Sequence, residues 1–334
     1  MSINIRTKSG KLFKQVEGES ILSSAEKAEV YFQYSCKTGR CSSCKCKLVS
    51  GKVKNYADQV GLDKEDKSQG YILSCVTYAI ENIEIEVDDL GDIKLPKPVT
   101  LPCKIDSINK ISNDILILTL RTPPNSNINF IPGQYFNMIG PEGLKRSYSI
   151  ANNIQNGLIE LHIKRVSDGL FSEYWFEKSK INDLLRLNGP HGTFFLKESN
   201  KKLIFLATGT GIAPIKSILD SIEDSPTGYG SEIYLIWGGR NISDLYIDFS
   251  DKYKNINLKY IPVLSQINSN WTGEIGYVQE ILLKMELDLS NYAVYACGLD
   301  NMISDSKKLL VENGLNENNF YSDAFVASSD IMEP

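Results

Sequence analysis

Four cysteines constrain this chain more than any other feature. Cys36, Cys41 and Cys44 stand in a C-x4-C-x2-C spacing within Cys36-Lys37-Thr38-Gly39-Arg40-Cys41-Ser42-Ser43-Cys44, and Cys75 follows 31 positions later. Four thiolates hold either zinc or an iron–sulfur cluster. Zinc sites usually pair their cysteines as two C-x2-C knuckles. Here one loop supplies three ligands and a distant residue the fourth, which is the spacing of a 2Fe–2S centre. Gly39 lets the loop curl so that backbone N–H groups face the cluster sulfurs and stabilise their negative charge. The alternative, four unrelated buried thiols, does not account for the arrangement. Cys46, at the start of a strand, reads as a small hydrophobe. Cys103 and Cys297 lie too far along the chain to serve this loop.

The rest of the chain must then be sized around such a centre. At 334 residues it is expected to form two or three domains. With 42% hydrophobic and 23% charged residues it has the material for proper cores. A formal net charge of -5 argues against nucleic acid or an anionic membrane as the main partner. The start, Met1-Ser2-Ile3-Asn4-Ile5-Arg6, has no apolar core of a secretion signal, and no run is apolar enough for a membrane span. The expected compartment is therefore the cytoplasm, where clustered cysteines bind metal more often than they pair as disulfides.

Three blocks follow one another. In the first, residues 2–16 read as a β-hairpin, and Ser20 caps a helix expected over Ile21 to Glu29. After the cysteine loop come a strand at Lys45 to Val49, a helical turn at Leu62 to Lys67 and alternating Ile83, Ile85 and Val87. A charged, proline-bearing stretch, Gly91 to Pro98, reads as a linker. The second block is strand-rich, with runs at Ile115 to Leu120, Tyr135 to Ile139 and Leu158 to Ile163. Turn signals at Pro132-Gly133, Asn156-Gly157 and Asn188-Gly189-Pro190 and one helix, Leu170 to Glu177, suggest an antiparallel barrel. In the third block strands alternate with helices: Leu203 to Ala207 then Ala213 to Ile222, Ile233 to Trp237 then Leu245 to Tyr253, Leu258 to Leu264 then Val278 to Met285, and Ala293 to Ala296 then Met302 to Glu312. That rhythm predicts a parallel sheet wrapped by helices. The expected domains are 1–92, a linker at 93–100, 101–199 and 200–334.

Residues 1 to about 90 resemble a plant-type ferredoxin, whose motif Cys41-Ser42-Ser43-Cys44 matches closely, and this resemblance implies an α+β, β-grasp domain. The second block carries Arg146-Ser147-Tyr148-Ser149 on a strand, with Arg146 and Tyr148 on one face by alternation. A guanidinium suits a pyrophosphate and a tyrosine ring suits a flat heterocycle. Gly169-Leu170-Phe171-Ser172 opens a helix with free N–H groups for a phosphate. Together these resemble the FAD domain of the ferredoxin–NADP reductase superfamily. The resemblance implies that Arg146 binds the pyrophosphate, Tyr148 packs on the flavin and Ser149 lies near flavin N5. It also implies that the strand Leu161-His162-Ile163-Lys164 lines the ribityl side, placing His162 and Lys164 among the cofactor contacts. His162 has no nucleophile motif beside it, so a structural or backbone-contact role is expected. His191 reads as a turn residue.

In the third block, Thr208-Gly209-Thr210-Gly211-Ile212-Ala213-Pro214 follows a strand and opens a helix. Glycines permit close backbone approach, the helix start favours an anion, and Pro214 fits a first turn. This is a G-x-G-x-x-P, similar to the nicotinamide domain of the same superfamily. Cys297-Gly298 with Met302 matches that superfamily's C-G-x-x-x-M, which implies a cysteine near the nicotinamide C4. Asp323 stands where many relatives have a carboxylate near the flavin, and Phe325 near where plant reductases end on an aromatic that covers it. Ser149, Cys297 and Asp323 are thus the expected catalytic positions. Gly238-Gly239-Arg240-Asn241 offers one arginine with Asp244 nearby, a poor cluster for a 2′-phosphate, so NADH is expected and NADPH stays open.

NADH delivers two electrons and a 2Fe–2S centre accepts one at a time, so a flavin must lie between them. The whole chain is similar to the CDP-6-deoxy-Δ3,4-glucoseen reductases of 3,6-dideoxyhexose and surface-polysaccharide synthesis. Leu120-Arg121-Thr122-Pro123-Pro124, Pro132-Gly133-Gln134-Tyr135, Gly192-Thr193-Phe194-Phe195 and Phe320-Tyr321-Ser322-Asp323-Ala324-Phe325 carry that likeness. It implies an electron-accepting partner, a pyridoxamine-phosphate, iron–sulfur dehydrase acting on a CDP-sugar. The reductase component of a multicomponent oxygenase shares all the generic motifs and stands as the alternative. A non-catalytic redox sensor carrying the same cofactors is a third, weaker reading.

Overall fold

The computed structural model describes residues 2–124, 126, 128–197, 201–226, 232–266 and 270–325. The chain divides into two compact units, one of Met1–Leu95 with Gly192–Phe194 and the chain from Asp323, the other of Pro96–His191 and Phe195–Ser322.

The first unit is built on a mixed sheet in the order Leu12–Lys14, Asn4–Thr7, Ile83–Glu86, Lys45–Ser50, Tyr71–Leu73. Asn4–Thr7 and Ile83–Glu86 run parallel and their neighbours antiparallel. Apolar Ile5, Phe13, Ile83 and Ile85 face the helix Ile21–Lys27, which buries Ile21, Leu22 and Ala25 against them. This is the expected β-grasp. The Ser20 hydroxyl accepts the Ser23 N–H at 2.9 Å and so satisfies a helix-start donor. The helix was expected to reach Glu29 but ends at Lys27. Ala28 closes the last turn and Glu29 swings to φ 58°, which releases the chain toward the cysteine loop.

In the second unit, six antiparallel strands form a nearly closed barrel. Their order is Lys145–Ser149, Tyr135–Ile139, Leu184–His191, Val99–Lys110, Ile115–Arg121, Leu158–Lys164, and an Ile150–Leu161 bridge joins the two edges. Asn188-Gly189-Pro190 is not the expected turn; it lies inside the strand Leu184–His191. Asn188 pairs with Asn137 and His191 with Tyr135, so Gly189 and Pro190 bulge opposite the single residue Phe136, where a strand tolerates a residue without an N–H. The expected helix Leu170 to Glu177 is an α-turn, Leu170–Glu173, that widens into a π-helix, Tyr174–Lys178. The wider turn lets consecutive Tyr174, Trp175 and Phe176 all be buried.

The same unit holds a parallel sheet in the order Glu274–Ile275, Leu258–Leu264, Ile233–Gly239, Lys202–Thr208, Tyr292–Leu299. Helices Ile212–Asp224, Val278–Lys284 and Asp300–Glu312 flank it. The helix expected over Leu245 to Tyr253 is absent. Asp248 instead accepts the Ser250 N–H in a turn, while Phe249 packs edge-on against Trp237. Strand order reverses between Lys202–Thr208 and its two neighbours, so a crevice opens at its carboxyl end, beside Gly209–Gly211. Among the described residues no helix is long and apolar enough to cross a membrane.

Candidate functional site

The cysteine loop is wound tightly. Lys37, Gly39 and Ser42 all take positive φ, at 54°, 75° and 53°. A Cβ on Gly39 would stand 2.6 Å from the Asp58 carbonyl oxygen, so glycine is required twice over, by dihedral and by space. Gly61 plays a matching part that the sequence did not advertise, since a Cβ there would lie 2.7 Å from the Arg40 carbonyl. Its own N–H donates to the Gly39 carbonyl at 2.9 Å. Cys41, Cys44 and Cys75 are buried and Cys36 is half-buried. The thiols couple as two pairs, Cys36 with Cys41 and Cys44 with Cys75. The hydrogen bond from Cys41 pushes the Cys36 thiol down to about 5, and the same bond with burial raises Cys41. Hydrogen bonding with Cys75, then burial, raises Cys44.

Among the described residues no three such side chains close on a single ion. Backbone N–H groups already point at sulfur: Cys36 N lies 3.4 Å from Cys41 Sγ and Thr38 N 3.3 Å from Cys36 Sγ. Ser43 Oγ is buried inside the loop with its hydroxyl set toward the Cys41 sulfur. Donor set, buried hydroxyl and glycine cradle all fit a 2Fe–2S cluster. Tyr56 and Ser74, unremarked in the sequence, brace the ligands, donating to the Cys75 carbonyl at 2.5 Å and the Cys44 carbonyl at 3.0 Å. Cys46 packs in the core, as expected of a hydrophobe, and burial raises its thiol.

Two distant segments join this unit. Thr193 Oγ accepts the Tyr34 N–H at 2.8 Å. Asp323, buried, accepts a 2.5 Å hydrogen bond from Ser35, the residue before Cys36. Burial lifts the Asp323 carboxyl to about 6 against the opposing pull of that hydrogen bond. Phe325 ends the described chain, half-buried.

On the barrel, the strand Lys145–Ser149 alternates as expected, with Arg146 and Tyr148 on the more covered face. Trp175 Nε1 donates to the Tyr148 hydroxyl at 2.8 Å, and Phe171 meets the same ring edge-on. Tyr148 is thereby fixed at its far end and presents its ring. Among the described residues Arg146 meets only the Lys145 carbonyl, at 2.8 Å, which leaves its charge available to a pyrophosphate. Ser147 is tied to Asn137 at 2.7 Å, and Ser149 is buried with no hydroxyl partner among the described residues. These donors fit an FAD. Gly169 caps Leu170–Glu173; Leu170 is exposed, Phe171 is buried, and Ser172 accepts the Val166 N–H at 2.9 Å.

His162 and Lys164 are engaged elsewhere. The His162 ring is buried between Glu160 at 3.0 Å and the Tyr246 hydroxyl at 2.9 Å, so any flavin contact falls to its backbone. Burial lowers its pKa, against the pull of Glu160. Lys164 pairs with Asp244 at 3.3 Å and Asp114 at 3.8 Å. Asp244 in turn accepts the Arg240 and Asn241 N–H groups at 2.9 and 3.0 Å, so the turn after the second parallel strand is organised around a buried carboxylate.

At the crevice, Gly209–Gly211 form one tight turn leading into the helix Ile212–Asp224, with Pro214 in its first turn and Thr210 buried. Gly209 has φ 52° and open space where a Cβ would be, the approach a phosphate needs. Gly211 differs, because a Cβ would lie 2.2 Å from the Cys297 carbonyl oxygen. Gly298 is as tight, 2.1 Å from Thr208 Oγ1, at φ 146°. These two glycines mortise the turn to the strand Tyr292–Leu299. Cys297 is fully buried at that joint.

A β-grasp bearing four paired thiols, a flavin-ready barrel and a nucleotide crevice define an iron–sulfur flavoprotein oxidoreductase. Family comparison agrees: residues 5–79 match the 2Fe-2S iron-sulfur cluster binding domain, 102–196 the oxidoreductase FAD-binding domain and 205–308 the oxidoreductase NAD-binding domain. The CDP-6-deoxy-L-threo-D-glycero-4-hexulose-3-dehydrase reductase of Yersinia pestis is 40% identical over 332 residues, covering 98% of this chain and all of its own. The chain belongs to that reductase family, within the ferredoxin–NADP reductase superfamily. The xylene/toluene monooxygenase electron transfer component of Pseudomonas putida is 33% identical over 325 residues, 94% of this chain and 90% of its own. The Amycolatopsis cytochrome P450 reductase GcoB shares the fold, with a TM-score of 0.75 at 21% identity over 97% of this chain and 98% of its own.

Proposed function

We propose that the chain carries electrons from NADH through FAD and a 2Fe–2S cluster to a separate CDP-4-keto-6-deoxyhexose 3-dehydrase, in cytoplasmic 3,6-dideoxysugar synthesis. The observation that carries this reading is the end-to-end 40% identity with a dehydrase reductase, above the 33% shared with a monooxygenase component. The modules are 1–92, 101–199 and 200–334, joined at 93–100, where no helix or strand forms before Val99.

FAD, when bound, converts a two-electron delivery into single-electron steps. Arg146 would hold its pyrophosphate, Tyr148 and Phe171 would pack on the flavin, and Ser149 would lie near its N5. Gly209, Thr210 and the helix start would receive the nucleotide phosphates, and Cys297 and Gly298 would lie near the nicotinamide. Cys36, Cys41, Cys44 and Cys75 would hold the cluster, whose potential for this ligand type, about -400 mV, suits forward transfer. Asp323 reaches the cluster loop through Ser35, the residue before Cys36, and Phe325 is the aromatic that would cover the flavin. The buried Asp244 favours NADH, because it sets negative charge where a 2′-phosphate would add more.

Anaerobic reconstitution tests the reading. NADH should bleach the flavin, raise a reduced 2Fe–2S EPR signal and drive a pyridoxamine-phosphate sugar dehydrase. Turnover with a Rieske oxygenase but not the dehydrase would give the partner assignment to the oxygenase class. No NADH-dependent dye reduction by cofactor-loaded protein would sink the enzyme reading itself.

A further inference from the structure

Lys216 is an unusual residue for its place. It lies in the second turn of Ile212–Asp224, the helix that Gly209–Gly211 opens, and yet it is only 8% exposed. A buried ammonium must find acceptors or lose its charge. Here Nζ has three: the Ala151 carbonyl at 2.8 Å, Asp220 at 2.9 Å and Glu160 at 3.2 Å. Ala151 and Glu160 belong to the barrel, and Asp220 to the helix itself. The next residue makes the same crossing, since Ser217 Oγ donates to the Asn152 carbonyl at 3.0 Å. Two successive helix residues thus grip two successive barrel carbonyls.

The barrel end of the grip is well placed. Ala151 lies two residues past Ser149, and its N–H donates to the Glu160 carbonyl at 2.8 Å where the barrel closes. Every acceptor is held from behind. Tyr246 supports His162 at 2.9 Å and His162 supports Glu160 at 3.0 Å, while Tyr253 donates to Asp220 at 2.8 Å. A fixed set of acceptors gives the ammonium one position, and the ammonium gives the helix one register on the barrel.

We propose that Lys216, seconded by Ser217, is a positioning residue for hydride transfer: it registers the nucleotide turn Gly209–Gly211 on the flavin strand that ends at Ser149. Lys216 touches no reacting atom. Its effect passes through the helix start to the turn and through Ala151 to the strand. The inference rests on the assignment of NADH and FAD to these two places.

Lys216→Met keeps the stem and removes the charge, and Lys216→Arg restores it. In stopped flow with FAD-loaded protein, Lys216→Met should slow flavin bleaching by NADH about 100-fold, the loss that follows a misplacement of about 1 Å at a reacting centre. Flavin reduction by dithionite should be unchanged, and Lys216→Arg should recover most of the NADH rate. In FAD-free protein, hydrogen exchange should rise together in peptides covering 146–164 and 209–224. Ser217→Ala should show the same pattern, smaller, and stands in if Lys216→Met does not fold. A folded variant with wild-type bleaching and wild-type exchange would overturn the proposal, as would equal slowing with dithionite. Wild-type protein that NADH does not bleach would instead overturn the functional reading.

Discussion

Gly211→Ala is the sharpest perturbation this fold offers. Gly211 has an ordinary backbone conformation, so alanine brings no dihedral strain, only a methyl group. That methyl would stand 2.2 Å from the Cys297 carbonyl oxygen and 2.6 Å from its carbon, where ordinary contact begins at 3.4 Å. Both atoms are backbone of the strand Tyr292–Leu299, paired through Cys297 to Lys202–Thr208, and have no rotamer to yield. The turn must therefore retreat by roughly 1 Å, an overpacking that costs about 1–3 kcal/mol. Stability would fall by that amount, and NADH-to-flavin transfer by about 100-fold if the turn carries the nucleotide. Gly209→Ala is the control. It adds about 1–2 kcal/mol of left-handed strain but meets open space, so the turn stays on its strand. Thermal melts and NADH-dependent dye reduction on both variants decide it. Wild-type turnover and melting in Gly211→Ala would refute the joint between turn and strand. Equal loss in both variants would show that strain, not displacement, governs the site.

Three further outcomes follow from the geometry. Cys75→Ser should abolish the reduced-cluster EPR signal and leave flavin bleaching by NADH intact, and loss of both would contradict separable modules. Tyr148→Phe strands the buried Trp175 Nε1–H and should destabilise the FAD-free protein by about 1–3 kcal/mol in denaturant titration, whereas an unchanged midpoint would mean the indole finds another acceptor. Burial alone would raise Glu160, but His162 and the charge of Lys216 outweigh it and hold the carboxyl at about 2, below its ordinary 4.5. A depressed carboxylate stabilises the fold fully above its unfolded value. About 3 kcal/mol should therefore be lost as pH falls from 4.5 toward 2, and Glu160→Gln should flatten that part of the acid unfolding curve; an unaltered curve would count against the pairing.

Much of this was legible because ligand chemistry leaves spacing behind. C-x4-C-x2-C with one remote cysteine is a metal-site pattern wherever it occurs, and alternation placed Arg146 and Tyr148 on one face without any structure. The misreadings share a cause. Asn188-Gly189-Pro190 has turn composition, but pairing on both sides of it makes it a bulge within one strand. Leu245 to Tyr253 has helical spacing, but its aromatics are claimed one by one by Trp237 and Asp220. Local propensity lost to tertiary partners in both places. Tyr56, Gly61 and Lys216 left no signal at all, because each acts through residues remote in the chain.

The two glycines of the nucleotide turn show why a motif is not yet a mechanism. A G-x-G is usually explained by ligand approach, and one of this pair fits that account: Gly209 faces open space at positive φ. Gly211 answers to the protein instead, since its missing side chain lets Cys297 come close. The same logic holds in the cysteine loop, where Gly39 and Gly61 make room for Asp58 and Arg40 carbonyls. In both sites the ligand-facing positions are few and the glycines that bring two backbones together are as many. Substitutions at the second kind act on the ligand only by displacing the first. They should therefore cost stability and function together, while a change at Gly209, which meets open space, should separate the two.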